Sequence, residues 1–475
     1  MPSRRCIWRL RTTRARHPEQ LMRQRLSFWQ KFFYGFGDTS NTVSYTITSL
    51  LFLFFLTDVA HLNPALAGVV LLAGKFWDAV TDPLTGYISD HLRTPFGRRR
   101  PFFIGAALPF ALTFVLMWIV PQQLSQGGLF VYYAFAYSLH ITFFTAYAVP
   151  YQALAAELTG DYDERTALNS FRMFFSIILG LVAAVVPRAI VERFVSAPRG
   201  YVAMAWVAAA IIVVPPIVVF VTTREPPLAA VGRRARDSFM AEVQQVLANK
   251  PYRAALLMYL FTWMGVDVVS AVFLYYATYV VHMEAQSSLL FAILFVTAVL
   301  FLPFWVWASG RLGKKTAYIA GTAFVVCVLA VIAAVPVPSP WVVYTLLFLA
   351  GIGISSSHVL PSAIIPDCIE LDELESGTRR EGMYYGFSTF LQKLASAGGI
   401  ALVGVMLSVG GYVAGVVQSP RSVLTIRLLV GGFSGLIFLG GIVAMLFYPI
   451  TRERYQDIQR QLAERKAAVP PGTGV

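Results

Sequence analysis

Apolar residues fill the chain in runs of about 20–30 positions between residues 31 and 449, separated by short polar breaks. A run of that length crosses ~30 Å of hydrocarbon as a helix, and a helix in lipid satisfies its own backbone hydrogen bonds. Twelve such spans are predicted, at 31–57, 63–90, 101–120, 127–157, 167–192, 200–222, 253–282, 285–308, 316–336, 340–365, 384–409 and 424–449. The longest polar break, 223–252, divides them six and six. The chain thus reads as an all-α polytopic membrane protein of twelve transmembrane helices in two six-helix bundles. An arm (1–30) leads into the first bundle (31–222); a connector (223–252), the second bundle (253–449) and a tail (450–475) follow. Within the connector, Phe239–Leu247 has the pattern of a short amphipathic helix. The second span of each half is followed by a loop that pairs glycine with basic residues, GYISDHLRTPFGRRRP (86–101) and WASGRLGKKTAY (307–318). Repeated six-helix halves with a site between them near the midplane are a transporter plan.

Composition agrees: 57% of residues are hydrophobic and 13% charged, with mean hydropathy +0.63, whereas a soluble chain carries about 25% charged residues. The net charge of +13 does not point to nucleic acid, because the basic residues gather in alternate loops. Arg93, Arg98, Arg99 and Arg100 follow span 2; Arg224, Arg233, Arg234, Arg236, Lys250 and Arg253 separate the halves. Arg311, Lys314 and Lys315 follow span 8, and Arg379 and Arg380 follow span 10. The loops at 58–62, 121–126, 283–284 and 337–339 hold no Lys or Arg, and only Arg193 and Arg199 depart from the alternation. The positive-inside rule places both termini in the cytoplasm. The arm carries Arg4, Arg5, Arg9, Arg11, Arg14 and Arg16 without an apolar run. It reads as a solvated or headgroup-touching segment rather than a signal peptide, with Met22 a second candidate start. Cys6, Cys327 and Cys368 form no disulfide or metal pattern. The loop at 307–318 is not a phosphate-binding loop, since Ala308 stands where its first glycine belongs and Lys315 where Ser or Thr is required. HxxxxD, GxSxG and HExxH signatures are absent, so an enzyme is not expected, nor a cofactor.

The informative residues are polar groups inside the spans. Asp78 and Asp82 lie one turn apart in LLAGKFWDAVTDPLTGYI (71–88). A carboxylate at the bilayer centre costs about 2.5–3.5 kcal/mol on insertion scales, and this pair shares a helix face with Lys75. An internal salt bridge explains one acid and the lysine but leaves the second acid over. Two carboxylates with the Thr81 hydroxyl beside them are hard oxygen ligands for Na⁺; the same pair is able to carry a proton, because like charges raise one pKa. Pro83 loosens the helix directly after Asp82. Lys393, mid-span in YYGFSTFLQKLASAGG (384–399), needs a carboxylate partner or water, and span 2 across the half-to-half boundary is the expected source. Asp38, Asn41, Thr42 and Tyr45 share one face of span 1, as interhelical hydrogen bonding or as a polar wall of the central cavity. Arg172 near the start of span 5 reads equally as an end-of-helix salt bridge or a cavity residue, and Asp267 in span 7 as buried against another helix. His140 and His358 are expected to pack. Tyr275, Tyr276, Tyr279, Tyr384 and Tyr385 supply aromatic surface.

Four stretches carry a resemblance. They are KFFYGFGDTSN (31–41); LTDV (56–59) with KFWDAVTDPLTGYISDHLRTPFGRRRPF (75–102); VPYQALAAELTGDYDERTALNSFRM (149–173); and PDCIELDELESGTRREGMYYGFSTFLQK (366–393). In these the chain resembles the glycoside–pentoside–hexuronide:cation symporter family, the melibiose-permease branch of the major facilitator superfamily. The resemblance implies the major facilitator fold, a coupling cation held by Asp78 and Asp82, and charge partners at Lys75 and Lys393. It implies a substrate site near Arg172, with Tyr151 of AYAVPY (146–151) facing it. It also implies a gating loop around Asp90, Arg98 and Arg99, joined by Glu157, Asp161, Glu164 and Arg165 and by Asp367, Asp372, Arg379 and Arg380. The chain departs from the melibiose pattern in two places, Thr42 and AYAVPY, where that branch has sugar-holding acids; Asp38 is a partial substitute. A related branch carries sodium-coupled lysolipids and keeps the cation aspartates without the sugar acids.

The expectation is a Na⁺- or H⁺-coupled symporter of a small organic solute, a sugar or glycoside. It works by alternating access, as a monomer, in a plasma membrane of the bacterial inner-membrane type. A lysolipid transporter is the alternative within the class, and a transport-dead receptor or scaffold the alternative outside it.

Overall fold

The computed structural model describes residues 26–159, 162–225, 239–335, 339–377 and 380–468. Arg379 and the side chains of Glu157 and Arg165 lie outside the described set, as do Asp161 and most of the basic arm.

Among the described residues, twelve helices are long and apolar enough to span a membrane. They are α1 (Phe28–Val59), α2 (Pro64–His91), α3 (Arg100–Met117), α4 (Gln126–Leu158), α5 (Tyr162–Val191), α6 (Ala197–Thr222), α7 (Lys250–Val280), α8 (Glu284–Leu312), α9 (Lys314–Ala334), α10 (Pro340–Ser376), α11 (Glu381–Val409) and α12 (Pro420–Leu446). Helix starts follow from local chemistry. Asn63 accepts from the Ala65 N–H with Pro64 next, and Ser419 accepts from the Ser422 N–H with Pro420 next. A polar cap followed by proline suits the orphan donors and fixed φ of a first turn. Ser27 and Gln30 complete a reciprocal capping box at α1.

The helix ends differ from the apolar runs where polarity and helicity part company. α10 continues through DCIELDELES to Ser376, well past the expected stop at 365; charged residues end hydropathy without ending the helix. α8 is interrupted at Phe301, before Pro303. A helix, Phe239–Ala248, occupies the expected amphipathic segment. The tail is not free: Arg452–Ala468 is helical, and Ile458 and Leu462 are buried with Val246 and Tyr252 in a core cluster of the second half.

Within the first half α2 packs on α4, α3 on α4 and α6, and α1 on α5 and α6; within the second, α7 packs on α11 and α12, and α10 on α8 and α9. The halves meet through α2–α11, α5–α8 and α1–α7. We call the face bearing residue 26, the loop at 92–99 and the end of α12 the terminal face, and the other the far face. Near the far face α2 and α11 cross backbone to backbone. A Cβ on Gly68 would stand 2.9 Å from the Ala401 carbonyl oxygen, and one on Gly404 would collide with the Pro64 carbonyl. Small residues permit this close approach.

The two basic loops have parallel anchoring. Gly97 has φ +107°, and a Cβ there would lie 2.6 Å from the Glu225 carboxyl carbon. The Glu225 carboxylate accepts from the backbone N–H groups of Arg98, Arg99 and Arg100, each at 2.8 Å. The Arg100 guanidinium donates to the Phe220 carbonyl at the end of α6. In the second half, Gly313 has φ +83°, and Lys315 donates to the Leu446 and Tyr448 carbonyls at the end of α12.

Candidate functional site

The site is built where α2, α4 and α11 converge. α2 and α4 approach closely because position 74 is glycine; a Cβ would run into the Tyr137 ring. That approach brings Thr145 to the acidic face of α2, where its hydroxyl lies 3.0 Å from Asp78 Oδ1 and 3.2 Å from Asp82 Oδ1. From α11, Lys393 Nζ lies 2.8 Å from Asp78 Oδ2 and 2.5 Å from Asp82 Oδ2. Asp78 is 2% exposed and Asp82 31%, so one carboxylate is sealed and the other reaches the solvent-accessible side. Two carboxylates therefore share one ammonium and one hydroxyl, which leaves one negative charge unmatched. Pro83 has no N–H, so the Ala79 carbonyl lacks its helical donor.

Thr81 and Lys75 are placed differently from the pair. The Thr81 hydroxyl turns back onto the Asp78 carbonyl at 3.3 Å, the local bond that helical threonines commonly make. Lys75 extends away to stand over the Tyr45 ring, 5.1 Å from its centroid. The Tyr45 hydroxyl donates to Asp267 at 3.1 Å, so Asp267 is buried against α1 of the other half. A long lysine stem allows a head group to leave the face its Cα occupies.

A second polar cluster lies between α1 and α5. Arg172 Nε is 3.9 Å from Asp38 Oδ1, and the Thr42 and Ser176 hydroxyls are 3.0 Å apart. Both amide atoms of Asn41 are buried without a hydrogen-bond partner. Such orphaned groups cost about 1–3 kcal/mol each, a cost that a ligand would remove. Tyr151 is elsewhere: it is fully buried, stacks on Tyr34 at 4.9 Å, and donates to the Tyr34 carbonyl at 2.7 Å. It seams α1 to α4 and does not present its hydroxyl to a cavity. His140 packs as expected, bonded to Ser44 at 2.9 Å.

Four ion pairs of the charged loops each join residues of one half. Asp90 pairs with Arg99 at 3.2 Å, Arg380 with Asp372 at 3.1 Å, Lys314 with Asp367 at 2.6 Å and Lys31 with Glu164 at 2.9 Å. The Arg98 backbone is held by Glu225. Bonds between halves are found at the Lys393 and Asp267 level and at the far face. There Arg188 of α5 reaches Glu284 and Ser287 of α8, both at 2.8 Å, and Glu192 accepts from Ser287 and Ser288. Sequence reasoning did not single out Thr145, Glu225 or Arg188. Thr145 carries no signal in a helix rich in hydroxyls, whereas Glu225 is visible as the acid closing TTRE after span 6.

Three comparisons bear on this geometry. A family model described as MFS/sugar transport protein matches residues 33–452. The chain is 31% identical to an "uncharacterized symporter" of Synechocystis sp., over 94% of this chain and 99% of that one. It is 27% identical to the sodium-dependent lysophosphatidylcholine symporter 1-A of Danio rerio (94% and 90% covered) and 25% identical to the isoprimeverose transporter of Lactiplantibacillus pentosus (95% and 96% covered). Among solved structures, a bacterial homologue of the human lysosomal transporter Spinster, inward-facing and unoccupied, superposes with TM-score 0.63 at 11% identity, covering 92% of this chain and 97% of that one; this likeness speaks to fold alone. The chain is a membrane transporter rather than an enzyme, and it belongs to the MFS/sugar transport protein family of symporters.

Proposed function

We propose that this chain is a cation-coupled symporter of a small organic solute that works by alternating access. The observation that carries the reading is the charge balance of the acidic pair on α2. Among the described residues, Arg172 stands by Asp38 and Lys75 lies over the Tyr45 ring that bonds Asp267, whereas Asp78 and Asp82 share the single ammonium of Lys393. One bound monovalent cation restores neutrality, and a buried unmatched charge is expensive without it.

The Asp78 and Asp82 carboxylates and the Thr145 hydroxyl form an oxygen set that suits Na⁺. The carboxylates alone suit a proton. In the described state Lys393 lies between the two acids, so an arriving cation must displace or share with it. That displacement loosens α11 from α2 and so links cation binding to the relation between the halves. Inter-half bonds from mid-bundle to the far face support a state closed there; with the positive-inside orientation, this is the side away from the cytoplasm.

For the solute, the α1–α5 cluster of Asp38, Asn41, Arg172 and Ser176 offers the alternating donors and acceptors that sugar hydroxyls need, and this favours a sugar or glycoside. A lysolipid is the second reading. It is favoured by the symporter relative from Danio rerio named for lysophosphatidylcholine.

A thermal-stability screen of the purified protein separates these readings: sugars and glycosides against lysophosphatidylcholine, each with and without Na⁺ and at two pH values. A solute that stabilises far more with the cation identifies both partners. Reconstituted vesicles that show no gradient-driven flux of any stabilising solute sink the symporter reading and leave a receptor.

A further inference from the structure

Helices α1 and α7 end in the same unusual way. α1 closes with a widened i→i+5 turn over Phe55–Val59, and α7 with one over Tyr276–Val280. The bonds match: the Ala60 N–H donates to the Phe55 carbonyl at 2.9 Å and the Val281 N–H to the Tyr276 carbonyl at 3.1 Å. The Leu62 and Met283 N–H groups donate to the Leu56 and Ala277 carbonyls, both at 2.8 Å. Each turn is followed by a histidine in the left-handed region, His61 at φ 55° and His282 at φ 54°. FLTDVAH (55–61) and YATYVVH (276–282) thus occupy equivalent places in the two halves. In this register Asp58 and Tyr279 are counterparts, and they are bonded to each other: the Tyr279 hydroxyl donates to the Asp58 carboxylate.

The same carboxylate accepts from Tyr412, beyond α11, at 2.5 Å and from its neighbour Thr57 at 2.6 Å. Thr57 and Tyr275 of α7 share a further hydroxyl contact at 2.6 Å. Among the described residues, no basic side chain is bonded to Asp58. The charged groups nearest in the fold, Glu284 and Arg188, are paired with each other. A buried carboxylate depends on its donors, and here Tyr279 and Tyr412 come from the other half. These bonds join the two halves at the far face. Widened turns of this type recur at functional positions in helices.

We propose that Asp58, Tyr279 and Tyr412, carried on the two matching turns, are the latch that holds the far face closed. When the halves part, both tyrosines leave with the second half and the Asp58 carboxylate passes to water. The latch is uncharged on one side, so its grip is that of hydroxyl–carboxylate hydrogen bonds and no ion pair has to be desolvated each time it re-forms.

The inference rests on the alternating-access reading but is tested without any solute. Spin labels are placed at Val195→Cys and Val417→Cys, two exposed far-face positions, one in each half. The full-length protein carries them in nanodiscs with Cys6, Cys327 and Cys368 replaced by serine, and the label distance is measured. The parent should give one dominant short distance. Tyr279→Phe and Tyr412→Phe, each removing one oxygen, should raise the longer-distance population roughly tenfold apiece, and Asp58→Asn should do the same. Tyr132→Phe, which removes a hydroxyl bonded within one half to the Leu116 carbonyl, should leave the distribution unchanged. The proposal is overturned if the latch variants keep the parent distribution, or if Tyr132→Phe opens the face as much as they do. Failure of uptake with an intact latch response would instead count against the symporter reading.

Discussion

Replacing Asp78 by Asn tests the charge argument at its centre. In the parent, Asp78 and Asp82 share Lys393, and the cluster carries one negative charge. The substitution keeps the shape and makes the cluster neutral, so a cation entering it would create a net positive site. Both acids lie within 3.2 Å of the Thr145 hydroxyl, which puts any ion they share at about 4 Å or less from each charge. One unit charge at that distance contributes about 4 kcal/mol at an effective dielectric constant of 20. Screening at the more exposed Asp82 side reduces this, and about 3–4 kcal/mol corresponds to a loss of two to three decades in cation affinity. The assay is a titration of purified protein with Na⁺, and separately with protons, followed by tryptophan fluorescence; Trp77 adjoins Asp78 and is bonded to Thr142 at 2.8 Å. It is paired with solute uptake into vesicles under an imposed Na⁺ or pH gradient. The expected outcome is loss of concentrative uptake with downhill exchange retained. Cation affinity within about threefold of the parent, or intact accumulation, would refute the reasoning.

Other expected outcomes follow from neighbouring contacts. Lys393→Ala removes the ammonium that both acids share, so thermal stability should fall in cation-free buffer and recover with added cation by more than the parent gains; equal responses would show that Lys393 does not compete for the site. Thr145→Ala should weaken cation binding by roughly tenfold, from one lost hydrogen bond to charged groups, while Thr145→Ser restores it; if both variants bind alike, the hydroxyl is not a ligand. Gly97→Ala forces a Cβ into a φ of +107° and against Glu225, and should lower stability by about 1–3 kcal/mol, read as a lower melting temperature and faster proteolysis after Leu92; an unchanged melting temperature would show that the loop relaxes without cost.

The apolar runs located all twelve helices, because a membrane span leaves little freedom: length and hydropathy are both imposed by the hydrocarbon. Their ends were less legible. α10 runs on past residue 365 because helix propensity continues where hydropathy stops. Asp78, Asp82 and Lys393 stood out through the cost of burying charge. Thr145 did not, because a hydroxyl in an apolar helix is cheap and common. The i, i+3 spacing put Lys75 on the acidic face at the level of Cα, but a four-carbon stem is long enough to deliver its charge to Tyr45 and Asp267. Tyr151 sat in a segment that resembles a sugar-site helix, yet the resemblance concerns the chain position and not the direction of the ring. Asp58 fell in the loop after span 1 and within the LTDV stretch, with no role assigned; only the register shared by two halves gives it a partner.

The bare crossing of α2 and α11 behaves as a fulcrum. Asp78 lies ten residues along α2 from Gly68, about 15 Å at the helical rise, and Lys393 lies eight residues along α11 from Ala401, about 12 Å. A scissoring of roughly 10° about that point displaces the ends of these arms by about 2–3 Å, comparable to the whole length of the Lys393–Asp82 bond. On the proposed coupling, the tilt of one half against the other and the occupancy of the acidic pair would not be independent quantities: leverage alone would make the ion's hold a function of angle.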